Sequence, residues 1–125
     1  RYMLDASAVL AMMLGENGGD QVRERLAASH ISAVNLSEVV AKLQEGGVPD
    51  EVITSSLAEL NFDVRAFDQS QAVHAGLLRA ATRSVGLSLG DRACLSAAES
   101  CNAVAVTTDR AWGKLDVDIA VEVLR

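Results

Sequence analysis

The chain has 125 residues, 50% of them hydrophobic, which is enough for one domain over residues 1–125 whose core needs neither a disulfide nor a structural metal. A formal net charge of −6 excludes a protein that holds nucleic acid through a broad basic surface alone, so a polyanionic substrate would require bound cations or a basic partner. No apolar run reaches the ~18 residues of a membrane span, so we expect no membrane association. Cys94 and Cys101 lie seven residues apart on one predicted helix, too far for a disulfide, and buried thiols of this kind predict a reducing cytoplasm.

The first half of the chain alternates short apolar strands with helices. Its predicted elements are a strand over Tyr2–Leu4, helices over Ala6–Leu14 and residues 20–28, a strand over residues 30–34, and a helix that Asn35 caps and Gly46 and Gly47 end. One acid follows each strand. Asp5 lies at the carboxyl end of the first strand, and Glu38 falls in the first turn of the helix after the second strand.

The second half continues the same alternation. Its predicted elements are a helix from Pro49, a strand over residues 62–67, a helix capped by Asp68 and Gln71 that runs to about Thr82, a helix from Ser88, a strand over residues 103–107, a short turn or helix at Trp112, and a strand over residues 119–124. Ser88 and Asp91 also fit a capping box, in which each side chain accepts a hydrogen bond from the other residue's backbone N–H. Considered alone, Asp91 is best explained as a helix cap.

Strands that alternate with helices predict an α/β fold, a three-layer α/β/α sandwich around a mostly parallel sheet. In such sheets the ligand site lies at the carboxyl ends of the strands. Asp5 and Asp109 end strands, Glu38 opens the helix after the second strand, and Asp91 opens a helix that runs back toward the start of the fourth strand. We therefore expect these four acids to converge on one edge of the sheet.

Carboxylates that converge repel one another, and a divalent cation relieves the repulsion. Oxygen-only ligands suit the hard ions Mg2+ and Mn2+, and no Cys or His spacing indicates zinc. Such an ion binds a phosphate oxygen, lowers the pKa of a water molecule and stabilises the negative charge that grows as a phosphodiester is cleaved. The predicted chemistry is therefore phosphodiester hydrolysis by metal-activated water.

Four segments of the chain resemble, in order, the motifs of PIN-domain ribonucleases, specifically the small toxins of the VapC type. The segments are Leu4-Asp5-Ala6-Ser7-Ala8, Ser32-Ala33-Val34-Asn35-Leu36-Ser37-Glu38-Val39, Gly86-Leu87-Ser88-Leu89-Gly90-Asp91-Arg92-Ala93-Cys94-Leu95 and Thr107-Thr108-Asp109-Arg110-Ala111-Trp112. The resemblance covers nearly the whole chain. It implies a PIN-like fold and a Mg2+- or Mn2+-dependent endoribonuclease that is cytoplasmic, usually a homodimer, and kept inactive by a cognate antitoxin encoded beside it.

The resemblance also implies roles for individual residues. Asp5, Glu38, Asp91 and Asp109 would be the catalytic acids that bind the metal, and Asp116 lies close enough downstream to share the role of Asp109.

Several polar residues near the acids have two interpretations. Ser7, Asn35 and Thr107 either hydrogen-bond the metal-binding carboxylates or serve as caps and turn formers, and capping is the better interpretation for Asn35. Arg92 and Arg110 stand next to candidate acids, where they either contact RNA phosphate or are solvated charges.

Two other functions fit the same sequence. Asp5 after the first strand also suits the covalent nucleophile of a phosphatase or phosphotransferase, although Ser7 stands where such enzymes of the haloacid-dehalogenase type have a second aspartate. A non-catalytic protein-binding module would use the acids only as helix caps. Asp68 also follows a strand and caps a helix, and only the family resemblance leaves it out of the site.

Overall fold

Five short strands form the sheet at the centre of the computed structural model, which describes residues 1–125. The strands are β1 (Tyr2–Leu4), β2 (Ser29–Ser32), β3 (Asp63–Arg65), β4 (Val104–Thr107) and β5 (Val121–Val123). They lie in the order β3-β2-β1-β4-β5, and every neighbouring pair is parallel. Because β1 lies in the middle, the residue that follows it reaches the centre of the carboxyl edge.

Seven α-helices connect and cover the strands. They are α1 (Ala6–Leu14), α2 (Gly19–Arg25), α3 (Ala33–Glu45), α4 (Asp50–Leu60), α5 (Gln69–Leu77), α6 (Arg79–Thr82) and α7 (Leu89–Ser100). Three short 3-10 helices cover Leu26–Ala28, Arg83–Val85 and Arg110–Lys114. No helix combines the length and the apolar character that crossing a lipid bilayer requires.

Two hydrophobic cores lie on opposite faces of the sheet. Neighbouring residues of β1 and β4 alternate between them: Leu4 and Val106 belong to one core, Met3 and Ala105 to the other. The first core contains buried residues of α1, α2, α3 and α4, and the second consists mainly of α7 residues and Trp112. The predicted three-layer α/β/α sandwich is confirmed, and its sheet is wholly parallel rather than mostly parallel.

The start of α3 differs from the prediction. The strand ends at Ser32 rather than at residue 34, and the Ser32 hydroxyl caps the helix by accepting a hydrogen bond from the Val34 backbone N–H at 3.2 Å. Asn35 therefore lies inside α3 and does not cap it, and Glu38 lies in the second turn rather than the first. The alternation of residues 30–34 concealed the boundary, because the cap lies within the apparent strand.

The helix predicted from Asp68 to about Thr82 is broken near Leu78. Asp68 caps α5 as expected, with its Oδ1 accepting from the Gln71 N–H at 2.9 Å. The Ala75 carbonyl, which a continuous helix would bond internally, instead accepts a hydrogen bond from the Arg92 Nη1 at 2.9 Å. The outer strands β3 and β5 are also shorter than predicted, each with three residues.

The capping box at the start of α7 is confirmed. The Ser88 Oγ accepts from the Asp91 N–H at 3.2 Å, and the Asp91 Oδ2 accepts from the Ser88 N–H at 3.0 Å. Asp91 is thus fixed in the first turn of α7, whose body packs into the second core.

Helix α3 approaches this first turn closely at Gly90. The fully buried Asn35 donates two hydrogen bonds from its Nδ2, to the Gly90 carbonyl at 3.0 Å and to the Glu38 Oε1 at 2.8 Å. A Cβ atom on Gly90 would collide with the Glu38 carboxylate. Gly90 therefore gives α3 the space to hold Glu38 against the start of α7.

Two glycine substitutions test this close approach. Gly76→Ala in α5 adds a methyl group to open space and should stabilise the protein by about 0.5–1 kcal/mol through helix propensity. Gly90→Ala should leave the protein about 1–2 kcal/mol less stable than Gly76→Ala in urea unfolding, because Glu38 must turn away and lose its hydrogen bond from Asn35. In a Glu38→Ala background that cost should disappear. An undiminished cost there would show that Gly90 does not serve to accommodate Glu38.

Candidate active site

Asp5 is the buried centre of the carboxyl edge. Its backbone N–H extends the sheet by donating to the Val106 carbonyl at 2.9 Å, and the residue is only 3% exposed. The Asp5 Oδ2 accepts hydrogen bonds from the Ser7 hydroxyl at 2.8 Å and the Thr107 hydroxyl at 3.0 Å. Two hydroxyl groups thus replace part of the hydration that this carboxylate loses on burial.

The same two hydroxyls fix the loop after β4. The Thr108 N–H donates to the Ser7 Oγ at 3.1 Å, and the Asp109 N–H donates to the Thr107 Oγ1 at 3.0 Å. The two hydroxyl oxygens are 3.0 Å apart. Ser7 and Thr107 therefore make both kinds of contact that the sequence left open, since they donate to the Asp5 carboxylate and accept from the backbone of the turn that carries Asp109.

Each of three acids is held through one of its carboxylate oxygens. Asp5 is held at Oδ2 by Ser7 and Thr107, Glu38 at Oε1 by Asn35, and Asp91 at Oδ2 by the Ser88 backbone. The second oxygens, which are Oδ1 of Asp5, Oε2 of Glu38 and Oδ1 of Asp91, accept no side-chain hydrogen bond. Each acid is therefore oriented through one oxygen, and its other oxygen has no side-chain donor.

Asp91 lies close enough to Asp5 and to Glu38 for its charge to shift the pKa of both acids. Burial raises the pKa of Asp5 from 3.8 to about 6, repulsion from Asp91 adds to the shift, and hydrogen bonds from Ser7, Thr107 and the Ala6 backbone oppose it. Burial also raises the pKa of Glu38; the Asn35 hydrogen bond opposes this shift and repulsion from Asp91 adds to it. The buried Cys94 thiol has a raised pKa through burial and through repulsion from Asp5, Asp91 and Glu38.

Asp109 and Asp116 are placed differently from these three. Asp109 is exposed and caps the 3-10 helix Arg110–Lys114, with its Oδ1 accepting from the Ala111 N–H at 3.0 Å. It adjoins Asp5 through Thr107, but its charge is not among those that shift the pKa of Asp5. Asp116 is exposed in the segment before β5 and makes no hydrogen bond to the other candidate residues. No three acidic, His or Cys side chains are close enough to form a ready metal site.

The two candidate arginines also differ. Arg92 turns toward α5 to bond the Ala75 carbonyl and is partly buried, whereas Arg110 is exposed beside Asp109. Asp68 lies in a different part of the molecule, where it borders a polar cavity of about 240 Å³ with His74, Ser96 and Glu99.

Two features of the site were not predicted from the sequence. The first is the bridge from Asn35 to the Gly90 carbonyl, together with a buried Asn35 Oδ1 that has no hydrogen-bond partner. The second is the close approach at Gly90 itself. The sequence did contain an indication of this close approach. A glycine inside a helix lowers the stability of the helix by about 1 kcal/mol relative to alanine, and it often marks a close contact.

Solved structures of toxin–antitoxin proteins share this fold. VapBC2 from Rickettsia felis, bound to a DNA fragment from its promoter, is 21% identical over 99% of this chain and 98% of that chain, with a TM-score of 0.76. VapBC from Salmonella typhimurium, bound to DNA, is 20% identical over 98% of this chain and 96% of that one, with a TM-score of 0.74. VapC20 from Mycobacterium tuberculosis, a sarcin-ricin loop cleaving toxin, is 12% identical over 96% and 99%, with a TM-score of 0.72.

At these identities the similarity is one of fold, and no curated protein sequence matches the chain. The PIN domain family, in contrast, matches residues 2–118 by sequence, which is nearly the whole chain. The matched range includes all the acids at the carboxyl edge. The chain therefore belongs to the PIN domain family.

Proposed function

We propose that this protein is a divalent-metal-dependent endoribonuclease that acts as the toxin of a toxin–antitoxin pair. One observation carries the proposal: at the carboxyl edge of a PIN fold, Asp91 repels both Asp5 and Glu38, and each of the three acids has a second oxygen without a side-chain hydrogen bond. An oriented, electrostatically unfavourable set of carboxylates is what a hard cation stabilises.

The residues present fit Mg2+ or Mn2+. The carboxylates at the edge offer oxygen ligands, as these ions prefer, and the neighbouring Cys94 thiol is fully buried and donates to the Met3 carbonyl at 3.8 Å. Asn35 contributes a buried Oδ1 without a partner, an acceptor suited to a water molecule of a hydrated cation. Asp5, Glu38 and Asp91 would hold the ion. Of the two remaining acids we propose Asp109, because it bonds the same Thr107 hydroxyl that holds Asp5.

In the proposed hydrolysis, the acids would hold the ion and the neighbouring polar side chains would hold the acids in position. A bound divalent ion would neutralise the carboxylates, lower the pKa of water and stabilise the charge that grows on the cleaved phosphodiester. Ser7 and Thr107 hold Asp5 in one orientation, and Asn35 holds Glu38. Fixed orientation keeps the ligand oxygens in place without reorganisation during the reaction.

The partners follow from the same comparison. Structures similar in fold include VapBC bound to DNA, a toxin–antitoxin complex from Klebsiella pneumoniae and a sarcin-ricin loop cleaving toxin. We propose RNA as the substrate, an antitoxin as the inhibitory partner, a homodimer as the working form, and the cytoplasm as the site of action.

Cleavage of RNA tests the proposed centre. We expect the purified protein to cleave RNA with Mg2+ or Mn2+ and to lose activity in EDTA. Substitution of residues that hydrogen-bond metal ligands already lowers metal affinity or activity by about 10–100-fold. Asp5→Asn and Asp91→Asn, which change the proposed ligands themselves, should each lower the cleavage rate by at least about 100-fold. Asp68→Asn is the matched control, since Asp68 also follows a strand and caps a helix, and it should retain the wild-type rate. Undiminished cleavage by both Asp5→Asn and Asp91→Asn would rule out this centre.

The metal-free protein should lose stability as the pH rises. Since the pKa of Asp5 is raised from 3.8 to about 6 on folding, the folded chain binds more protons than the unfolded chain between about pH 4 and pH 6. The free energy of unfolding therefore falls through this window, by about 3 kcal/mol for the Asp5 contribution.

Asp5→Asn removes this titration while keeping an oxygen to accept from Ser7 and Thr107. In EDTA the variant should match the wild type near pH 4 and exceed its stability by up to about 3 kcal/mol at pH 7, as measured by urea unfolding. Saturating Mg2+ at pH 7 should stabilise the wild type more than the variant. Parallel pH profiles for the two proteins in EDTA would contradict the assigned role of Asp5.

A further inference from the structure

The two arginines that adjoin candidate acids have different surroundings in the structure. Arg92 is partly buried, and its Nη1 donates to the Ala75 carbonyl at 2.9 Å and joins α7 to α5. Arg110 is exposed and makes no hydrogen bond or ion pair, even with its neighbour Asp109, whose Oδ1 accepts from the Ala111 backbone. Of the two, Arg110 is the exposed residue, and its guanidinium group is the one that is accessible to a ligand.

Arg110 borders an open cleft beside the candidate active site. The cleft has a volume of about 390 Å³ and is lined by Ser7, Thr108, Asp109, Arg110 and Arg125. Its Ser7 hydroxyl is the group that bonds the Asp5 Oδ2 at 2.8 Å. The cleft is thus one side chain away from the buried carboxylate at the centre of the site.

The lining of the cleft favours a phosphate group over a base. None of its five lining residues is hydrophobic or aromatic, so the cleft offers no aromatic platform on which a nucleobase would stack. Two guanidinium groups border it against one carboxylate, in a chain whose net charge is −6. Arg125 has one long contact, from its Nη1 to the Thr108 carbonyl at 3.5 Å, which leaves most of its donors free.

We propose that this cleft binds the RNA phosphate next to the one that is cleaved, with Arg110 as its main ligand and Arg125 as the second. The inference rests on the proposed function and names how the substrate is held beside the acids. A guanidinium group offers paired N–H donors that match two phosphate oxygens. Such a contact offsets the repulsion between the RNA backbone and the carboxylates, and it sets the position of the RNA strand relative to Asp5.

Binding of a short single-stranded RNA in EDTA tests this cleft without cleavage. Fluorescence anisotropy over a range of KCl concentrations should show about tenfold weaker binding for Arg110→Gln. One lost phosphate contact should also reduce the slope of log K against log salt by about 0.7. Arg110→Lys should keep the wild-type slope with reduced affinity, because lysine retains the charge but not the paired donors.

Arg23→Gln is the matched control. Arg23 is also exposed, but it borders a different cleft with Ser29 and Asp63, at the amino ends of β2 and β3. The control carries the same change in net charge and should bind RNA as the wild type does.

Wild-type affinity and salt slope in Arg110→Gln would overturn the inference while leaving the proposed function intact. An equal loss in Arg23→Gln would also overturn it, because the effect would then reflect net charge. Failure of the wild type to bind RNA both in EDTA and in Mg2+ would contradict the proposed function as well.

Discussion

A carboxylate buried at the end of the central strand is the constraint on which this site depends. Asp5 is 3% exposed, and burial opposes its ionisation more than any other effect. A buried carboxylate requires hydrogen-bond donors or a cation. Ser7 and Thr107 supply the donors from α1 and β4, and in doing so they fix the loop that carries Asp109. The hydrogen bonds of the Asp5 carboxylate thus fix both the start of α1 and the loop after β4.

Capping and ligand binding are compatible at Asp91 because a carboxylate has two oxygens. Its Oδ2 satisfies the Ser88 N–H, a donor that the first turn of α7 would otherwise leave unpaired, and its Oδ1 remains available. The same division recurs at Glu38, where Asn35 takes one oxygen. The structural role of each acid therefore orients it for the proposed chemical role.

Local features of the structure were predictable from the sequence. The capping box at Ser88 and the cap at Asp68 each depend on residues three apart, and the position of Asp5 follows from strand topology alone. Asn35 was misassigned because its decisive partner, the Gly90 carbonyl, is 55 residues away in the chain. Arg92 could not be distinguished from Arg110 for the same reason, since its partner at Ala75 is set by the packing of α5 on α7. Contacts between helices are decided by tertiary packing, which periodicity does not encode.

Anomalous diffraction from a crystal soaked in Mn2+ tests the central claim most directly, because it locates the ion without relying on activity. The account predicts an anomalous peak at the carboxyl edge, within coordination distance of the Asp5 and Asp91 Oδ1 atoms and near Glu38. Absence of a peak at this edge from a crystal with ordered, accessible carboxylates, or a peak beside Asp68 and Glu99 instead, would contradict it.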